Sequence, residues 1–493
     1  LKYTAGHTVF PLIALLAFSF HGSLSAQQSN TFYLMHDVPQ SNLLNPAVQL
    51  KCRYYIGIPL LASTHIAYSN TAFTFNDLAG SGSWNTEGVF EQMHRVDLYY
   101  VDIQLHPVSL GYRHKSLYFT FNITERVQGY QTVPKDLVEM ALYGNGPTVG
   151  GTARFDALKP GAFHTREYSI GLSRVVDQYL TAGIRAKLLF GKANLSAGRS
   201  DLRVNTREED FGLRIEGDYT INGSFPVTIE KDADGDITGI TVNDIDPLAY
   251  MMNRGNPGFA LDLGVIYRYD DRITLSGSLL DLGFIRWKTD VNNVHGDGTF
   301  VYEGEELRGD LVSGTFVSEI RDSLIDAFDY TTTQEPYTWF HPTQLFLGGT
   351  YRFRDRICFG LVNRNVRYSS KIHSSLTLSA QADLADRILA TASWSYLNNS
   401  VKNIGLGLAY HGKGIQFHAV TDNLLGFFNP FNTRTLNLRF GIDLMLGCPR
   451  NRQQELKEES YSGLPRGGYC PNARDPEKFE KKRKKAIRRL NRI

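Results

Sequence analysis

The amino-acid sequence predicts an all-β protein, a transmembrane antiparallel β-barrel of about 14 strands, with roughly 16 as the alternative count. Three observations carry that prediction. Long segments alternate apolar and polar residues with a period of two, over about 9–12 residues each, which suits a tilted crossing of the hydrocarbon layer. Aromatic residues cluster at the ends of those segments, as at Tyr54/Tyr55, Tyr99/Tyr100, Tyr267/Tyr269, Tyr351/Phe353 and Trp394/Tyr396, where interfacial girdles form. Connections alternate between tight turns (Asp270-Asp271, Arg354-Asp355, Gly412-Lys413-Gly414) and long stretches (Val127–Thr165, Gly191–Pro257, Lys288–Pro342). A secreted sandwich would use strands averaging about 5–6 residues, and no fixed repeat marks a propeller.

Composition agrees. Aromatics make up 12% of the 493 residues, with 26 Tyr and 29 Phe, and the net charge is +2. So apolar a chain with so little net charge is not disordered throughout. Beyond residue 30 no run of 18 apolar residues occurs, which argues against a helical membrane protein.

Residues 1–26 read as a secretory signal peptide. One base, Lys2, precedes the apolar run Val9–Phe20, and small residues stand before a cut after Ala26. Residues 27–52 lack the period of two. Met35, Leu43, Leu44, Pro46 and Val48 mark something packed, so this stretch is the candidate plug of the lumen, with Asn42, Asn45, Pro46 and Ala47 at its centre.

The barrel occupies 53–446, beginning with a strand over Arg53–Leu60. Its clearest alternations are Leu180–Phe190, Leu261–Tyr269, Leu376–Leu384 and Thr435–Leu446. The inward set is polar, with Asp102, Arg185, Asp262, Arg352, Arg439 and Asp443 among it. A lumen of this size needs water or a plug.

Residues 447–493 form a basic tail of net charge +8, behind a body (27–446) of net −7. Lys481, Lys482, Arg483, Lys484, Lys485, Arg488 and Arg489 are the candidate partner-binding residues, on a short basic helix over 476–493. The periplasm is the expected compartment of this tail, and a periplasmic protein, peptidoglycan or anionic lipid its expected partner. Cys448 and Cys470 flank a 21-residue segment and are the candidate disulfide of an oxidising compartment; the pairing of Cys52 and Cys358 stays open.

Several motifs together resemble a known family. Pro39-Gln40-Ser41-Asn42 and Asn45-Pro46-Ala47 stand ahead of the first strand, and Leu142-Tyr143-Gly144-Asn145 lies in a long connection. The hairpin Phe259–Trp287 and the closing segment Thr421–Gly447 complete the set. The chain thus resembles a domain-of-unknown-function family of outer-membrane barrels from Bacteroidetes-type bacteria. More distantly it is similar to the FadL-like long-chain fatty-acid transporter superfamily, which also carries an N-terminal Asn-Pro-Ala. That resemblance implies a plugged barrel in the outer membrane of a Gram-negative bacterium. It implies no ligand-contacting residues, because fold does not fix function.

No enzyme is expected. There is no nucleophile elbow, zinc-binding His-Glu-x-x-His or phosphate loop. Asp232–Asp236 begins like a calcium loop, but Ile237 and Asn243 stand where Gly and Glu are required, so a turn between Val227–Lys231 and Ile237–Val242 is the better reading. No metal, cofactor or nucleic-acid partner is expected. Two functions remain. One is a barrel passing a small or hydrophobic solute through a plugged lumen. The other is a non-enzymatic accessory or scaffold barrel of a secretion machine (type IX-like) or an envelope-assembly machine, docking through its basic tail.

Overall fold

The structure, a computed structural model, describes residues 29–448 apart from 80–84, 232–236, 271, 303–328, 355, 369–370, 385–386 and 398–399. The signal peptide, the calcium-like Asp232–Asp236, Cys470 and the basic tail residues lie outside the described residues.

Fourteen strands close into one antiparallel ring. They are β1 (Tyr54–Gly57 continued by Thr64–Asn70), β2 (Val96–His114), β3 (Leu117–Pro134), β4 (Lys159–Val175), β5 (Leu180–Thr206), β6 (Asn256–Arg268) and β7 (Ile273–Trp287). The ring goes on through β8 (Gln344–Arg354), β9 (Ile357–Tyr368), β10 (Lys371–Leu384), β11 (Ile388–Leu397), β12 (Ser400–His411), β13 (Ile415–Thr421) and β14 (Thr435–Leu446). Each strand pairs with the next in sequence. Both pieces of β1 lie between β14 and β2, which completes the circle. Closure leaves no exposed edge in the ring.

The alternation read from sequence becomes an inside and an outside. Ile170, Ile184, Leu188, Val265, Leu378 and Leu408 are outward and exposed, while Asn122, Glu167, Arg185, Asp262 and Thr377 are buried inside. An apolar exterior around a polar interior is the reverse of a water-soluble core and suits a wall solvated by lipid. Among the described residues no helix is long and apolar enough to cross a membrane.

Three expectations are corrected. β1 is not continuous over Arg53–Leu60: it breaks after Gly57, Leu60 takes φ 63°, and pairing resumes at Thr64. The long connections are shorter than expected, since β3 runs to Pro134, β4 starts at Lys159 and β5 runs on to Thr206. Past the ring, β5 pairs with Leu213–Ser224, which pairs with Val291–Tyr302 and through it with Asp329–Thr333. The period of two continues through this extra sheet, past the end of the ring. One face carries Leu202, Val204, Ile215 and Tyr219, and the other Asp201, Arg203, Glu216 and Asp218. The hairpin Val227–Lys231/Ile237–Val242 forms as expected.

The third correction is the disulfide. Cys448 bonds to Cys52 and so is not available to Cys470. Spacing along the chain suggested the nearer partner. Barrel closure instead brings the start of β1 beside the end of β14, where the Arg53 N–H also donates to Gly447 O at 3.3 Å. The turns at Lys115-Ser116 and Gly412–Gly414 share this end with both chain ends of the barrel, so it is the turn end. The helices Thr86–Gln92, Lys135–Tyr143 and Pro247–Met252 belong to the opposite, loop end.

Candidate functional site

Residues 29–50 run inside the barrel. All are buried except Asp37 and Leu43, which are half-buried. Local chemistry shapes the segment. Asn30–Tyr33 makes one helical turn, and Pro39, preceded by extended Val38, starts the 3₁₀ turn Pro39–Leu43. Asn45 then closes a turn: its Oδ1 accepts from Ala47 N at 3.0 Å, its carbonyl accepts from Val48 N at 3.0 Å, and Pro46 fills the corner position that proline favours.

The wall receives that turn on two glycines. Gly183 of β5 and Gly264 of β6 face each other in register. A Cβ on Gly183 would lie 2.3 Å from Pro46 C, and one on Gly264 would lie 2.3 Å from Asn45 Oδ1. Glycine here permits close backbone approach, as it does in strands elsewhere. Asn45 Nδ2 also donates to Tyr33 Oη at 3.2 Å.

Asn42 is held by a buried guanidinium. Arg185 Nη2 donates to both the carbonyl and Oδ1 of Asn42, and Nη1 donates to Leu43 O at 3.1 Å and Asp262 Oδ2 at 3.0 Å. Asn42 passes the contact on, donating to Pro46 O at 3.1 Å and Val48 O at 2.7 Å. The four candidate residues Asn42, Asn45, Pro46 and Ala47 therefore meet at one place on β5 and β6.

Other polar contacts hold the remainder of the segment. Asp422 accepts from the backbone N–H groups of Ser29 and Thr31, and Gln40 Nε2 donates to Asp443 Oδ1. Asn30 Nδ2 donates to Ser375 Oγ and Thr377 Oγ1 at 2.9 and 3.0 Å. The apolar face of the segment (Phe32, Tyr33, Leu34, Met35, Val38) packs on inward Phe346, Val362, Leu389, Ala409 and Val420. Tyr33 stacks on Phe346 with centroids 4.7 Å apart.

The opposite wall is ionic. Opposite Asp262, β7 bulges between Leu279 and Leu282, with Asp281 at φ 61°, so that Leu280 and Asp281 both turn inward. Such bulges re-aim side chains. The Asp281 carboxylate gathers Lys187, Arg126 at 3.1 Å and Gln344 at 2.8 Å. Lys187 also reaches Asp262 at 3.0 Å, and Arg126 reaches Asp102 at 3.4 Å. Hydrogen-bonded networks of this kind offset part of the desolvation cost of buried charge. A cavity of about 60 Å³ lies between this network and the segment, with Ser29, Ser169, Arg364 and Arg439 on its walls. Its volume and polarity suit ordered water.

On the loop-end side of the network, aromatic rings meet across the lumen. Tyr368 of β9 lies 5.4 Å from Tyr100 of β2 and 5.2 Å from Tyr130 of β3, centroid to centroid. Phe163 of β4 lies 4.8 Å from Trp339 and 4.9 Å from His341. Beyond them, the extra sheet and the β3–β4 connection enclose an apolar cavity of about 370 Å³ lined by Phe155, Leu158, Leu202, Tyr219, Ile221 and Tyr330.

Of the residues the sequence places inside, Asp102, Arg185, Asp262, Arg439 and Asp443 are buried there, whereas Arg352 is half-buried. Sequence reading missed Asp281, Asp422 and the cross-lumen tyrosines. It also missed a usable signal, since Gly183, Gly264, Gly360 and Gly407 all fall on inward positions where segment 29–50 comes close.

A model for a family described as of unknown function, DUF5723, matches residues 46–422. No relative matches among the curated proteins. Among solved structures, the Ralstonia pickettii toluene transporter TbuX aligns with a TM-score of 0.38 at 10% identity, over 83% of this chain and 94% of that one. A Pseudomonas aeruginosa FadL homologue aligns with a TM-score of 0.35 at 10% identity, over 87% of this chain and 100% of that one. The CymD monoaromatic hydrocarbon channel aligns at 0.35 and 9%, over 83% and 93%. Likeness at these scores carries no argument; the barrel stands on its strand pairing.

Proposed function

The chain belongs to the DUF5723 family, and on that footing we propose that it is a non-enzymatic outer-membrane transport barrel. Residues 29–50 act as its plug and leave or shift to pass a small, hydrophobic solute. The observation that carries this reading is how the segment is held: it is buried along its length, yet fastened by hydrogen bonds from Arg185 and to Asp422 and Asp443 rather than by a covalent bond. Such contacts can exchange with those of a solute. An apolar solute is supported by the apolar half-wall under Phe32–Val38 and by the apolar cavity at the loop end.

In this reading the loop end faces outward and the turn end faces the periplasm. The cross-lumen rings form a second narrowing in series with the plug. Swelling of proteoliposomes in small neutral solutes tests the proposal. Protein lacking Phe32–Leu50 should admit them several-fold faster than wild type; equal rates would refute a plug.

The accessory-barrel reading draws its support from the +8 charge of 447–493. It expects a periplasmic protein or peptidoglycan to be captured by wild type and lost when 472–493 are removed.

A further inference from the structure

The connection between β13 and β14 exposes apolar surface in a way that loop length alone does not require. Leu425, Phe427, Phe428 and Phe431 are 50%, 43%, 80% and 59% exposed, and Phe75 beside them is 56% exposed. Phe75 and Phe431 sit 5.4 Å apart, centroid to centroid. Soluble surfaces rarely gather so many large apolar side chains in one place without a partner.

These side chains are not on a loose loop. Asn423, buried, donates to Thr433 Oγ1 at 2.7 Å and Thr435 O at 3.1 Å, and its Oδ1 accepts from Gly426 N at 3.2 Å. The Asp422 N–H donates to Asn437 Oδ1 at 2.8 Å. The base of the loop is thus pinned from within while its apolar side chains point away.

Register gives the height of the loop. Leu424 N donates to Ile404 O at 2.7 Å, continuing the β12–β13 pairing. Ile404 stands opposite Trp394 of β11, and both are outward and exposed. The patch therefore begins at the level of lipid-facing wall residues and is continuous with them. Phe and Leu on a surface segment at such a boundary bury their apolar side chains at the junction of headgroups and acyl chains.

We propose that residues 425–431, with Phe75, form a foot that enters the outer boundary of the bilayer and is covered by lipid acyl chains. This rests on the membrane-barrel reading. The loop is then a lipid anchor rather than a solvent-exposed connection. The foot also adjoins Asp422, which holds Ser29 and Thr31, so bilayer contact and the N-terminal segment share one pinned stretch of chain.

The test is Phe428→Trp in the full chain, reconstituted in phosphatidylcholine vesicles whose acyl chains are brominated near the headgroup. The added emission, taken as variant minus wild type, should be blue-shifted and at least halved by the brominated lipid. Emission like that of tryptophan in water, without quenching, overturns the foot. Blue-shifted emission without quenching also overturns it, and points to a second copy of the chain covering the patch. Trp394→Phe separates the two levels: if the emission it removes from the four-tryptophan wild type is unquenched by the brominated lipid, the membrane-barrel reading itself fails.

Discussion

Tyr100 and Tyr368 touch ring to ring at 5.4 Å although their strands, β2 and β9, stand on opposite sides of a fourteen-stranded ring. A barrel of this strand number leaves its lumen open unless side chains or a plug fill it. Tyr100 lines the polar cavity together with Ser29, and its contact with Tyr368 narrows the loop-end side of that cavity. Tyr368→Ala should therefore open the cavity from the loop end. A cysteine placed at Ser169, buried on the cavity wall, should react with a membrane-impermeant thiol reagent added outside only in the Tyr368→Ala background. Equal labelling with Tyr368 in place would show that the rings do not limit access.

Arg185 is the joint between wall and segment. Replacing it by Ala strands Asp262, which is fully buried, and removes four donations at once. Breaking one side of a buried pair costs about 3–5 kcal/mol. Lys187 also touches Asp262 at 3.0 Å, so the loss should fall near the lower figure. Denaturant unfolding in detergent micelles, followed by tryptophan emission, measures it.

Gly183→Ala should act on the segment and spare the barrel. Its Cβ would meet Pro46 backbone at 2.3 Å, and backbone cannot rotate away as a side-chain tip can. The expected result is new protease cleavage within residues 40–50, with the heat-modifiable gel migration of a folded barrel retained. Gly277, whose Cβ would find only ordinary contacts at 3.6 Å or more, is the control: Gly277→Ala should leave cleavage unchanged.

The Cys52–Cys448 bond closes a loop of 396 residues. Chain-entropy arithmetic gives such a loop about 5–6 kcal/mol. Cys448→Ser should lower the temperature at which the barrel unfolds on gels. Non-reducing peptide mapping should recover Cys52 with Cys448, and a Cys448–Cys470 peptide would contradict the pairing.

The ring itself was legible because lipid and lumen impose opposite demands on alternate residues. Leu188 beside Lys187, or Leu263 beside Asp262, can be sorted by period alone. Residues 27–52 were legible as something packed, from Met35, Leu43, Leu44, Pro46 and Val48, but the turn at Asn45-Pro46-Ala47 was not. The ionic hub was not, because Asp281 reaches it only through a bulge that breaks the period in β7. Tyr100 and Tyr368 were not, because an aromatic at a strand end reads as a girdle residue whether it points to lipid or inward. Cys52 and Cys448 escaped for a third reason: closure joins the chain's most distant barrel positions, and proximity in sequence argues for the wrong partner.

Unitary conductance in planar bilayers tests the central claim, that residues 29–50 close the lumen. Four proteins are compared: wild type, a deletion of Phe32–Leu50, Tyr368→Ala, and the two changes combined. The account predicts a near-silent wild type, small openings for each single change, and conductance at least ten-fold above either for the combination. A combined variant no more conductive than Tyr368→Ala alone would contradict it.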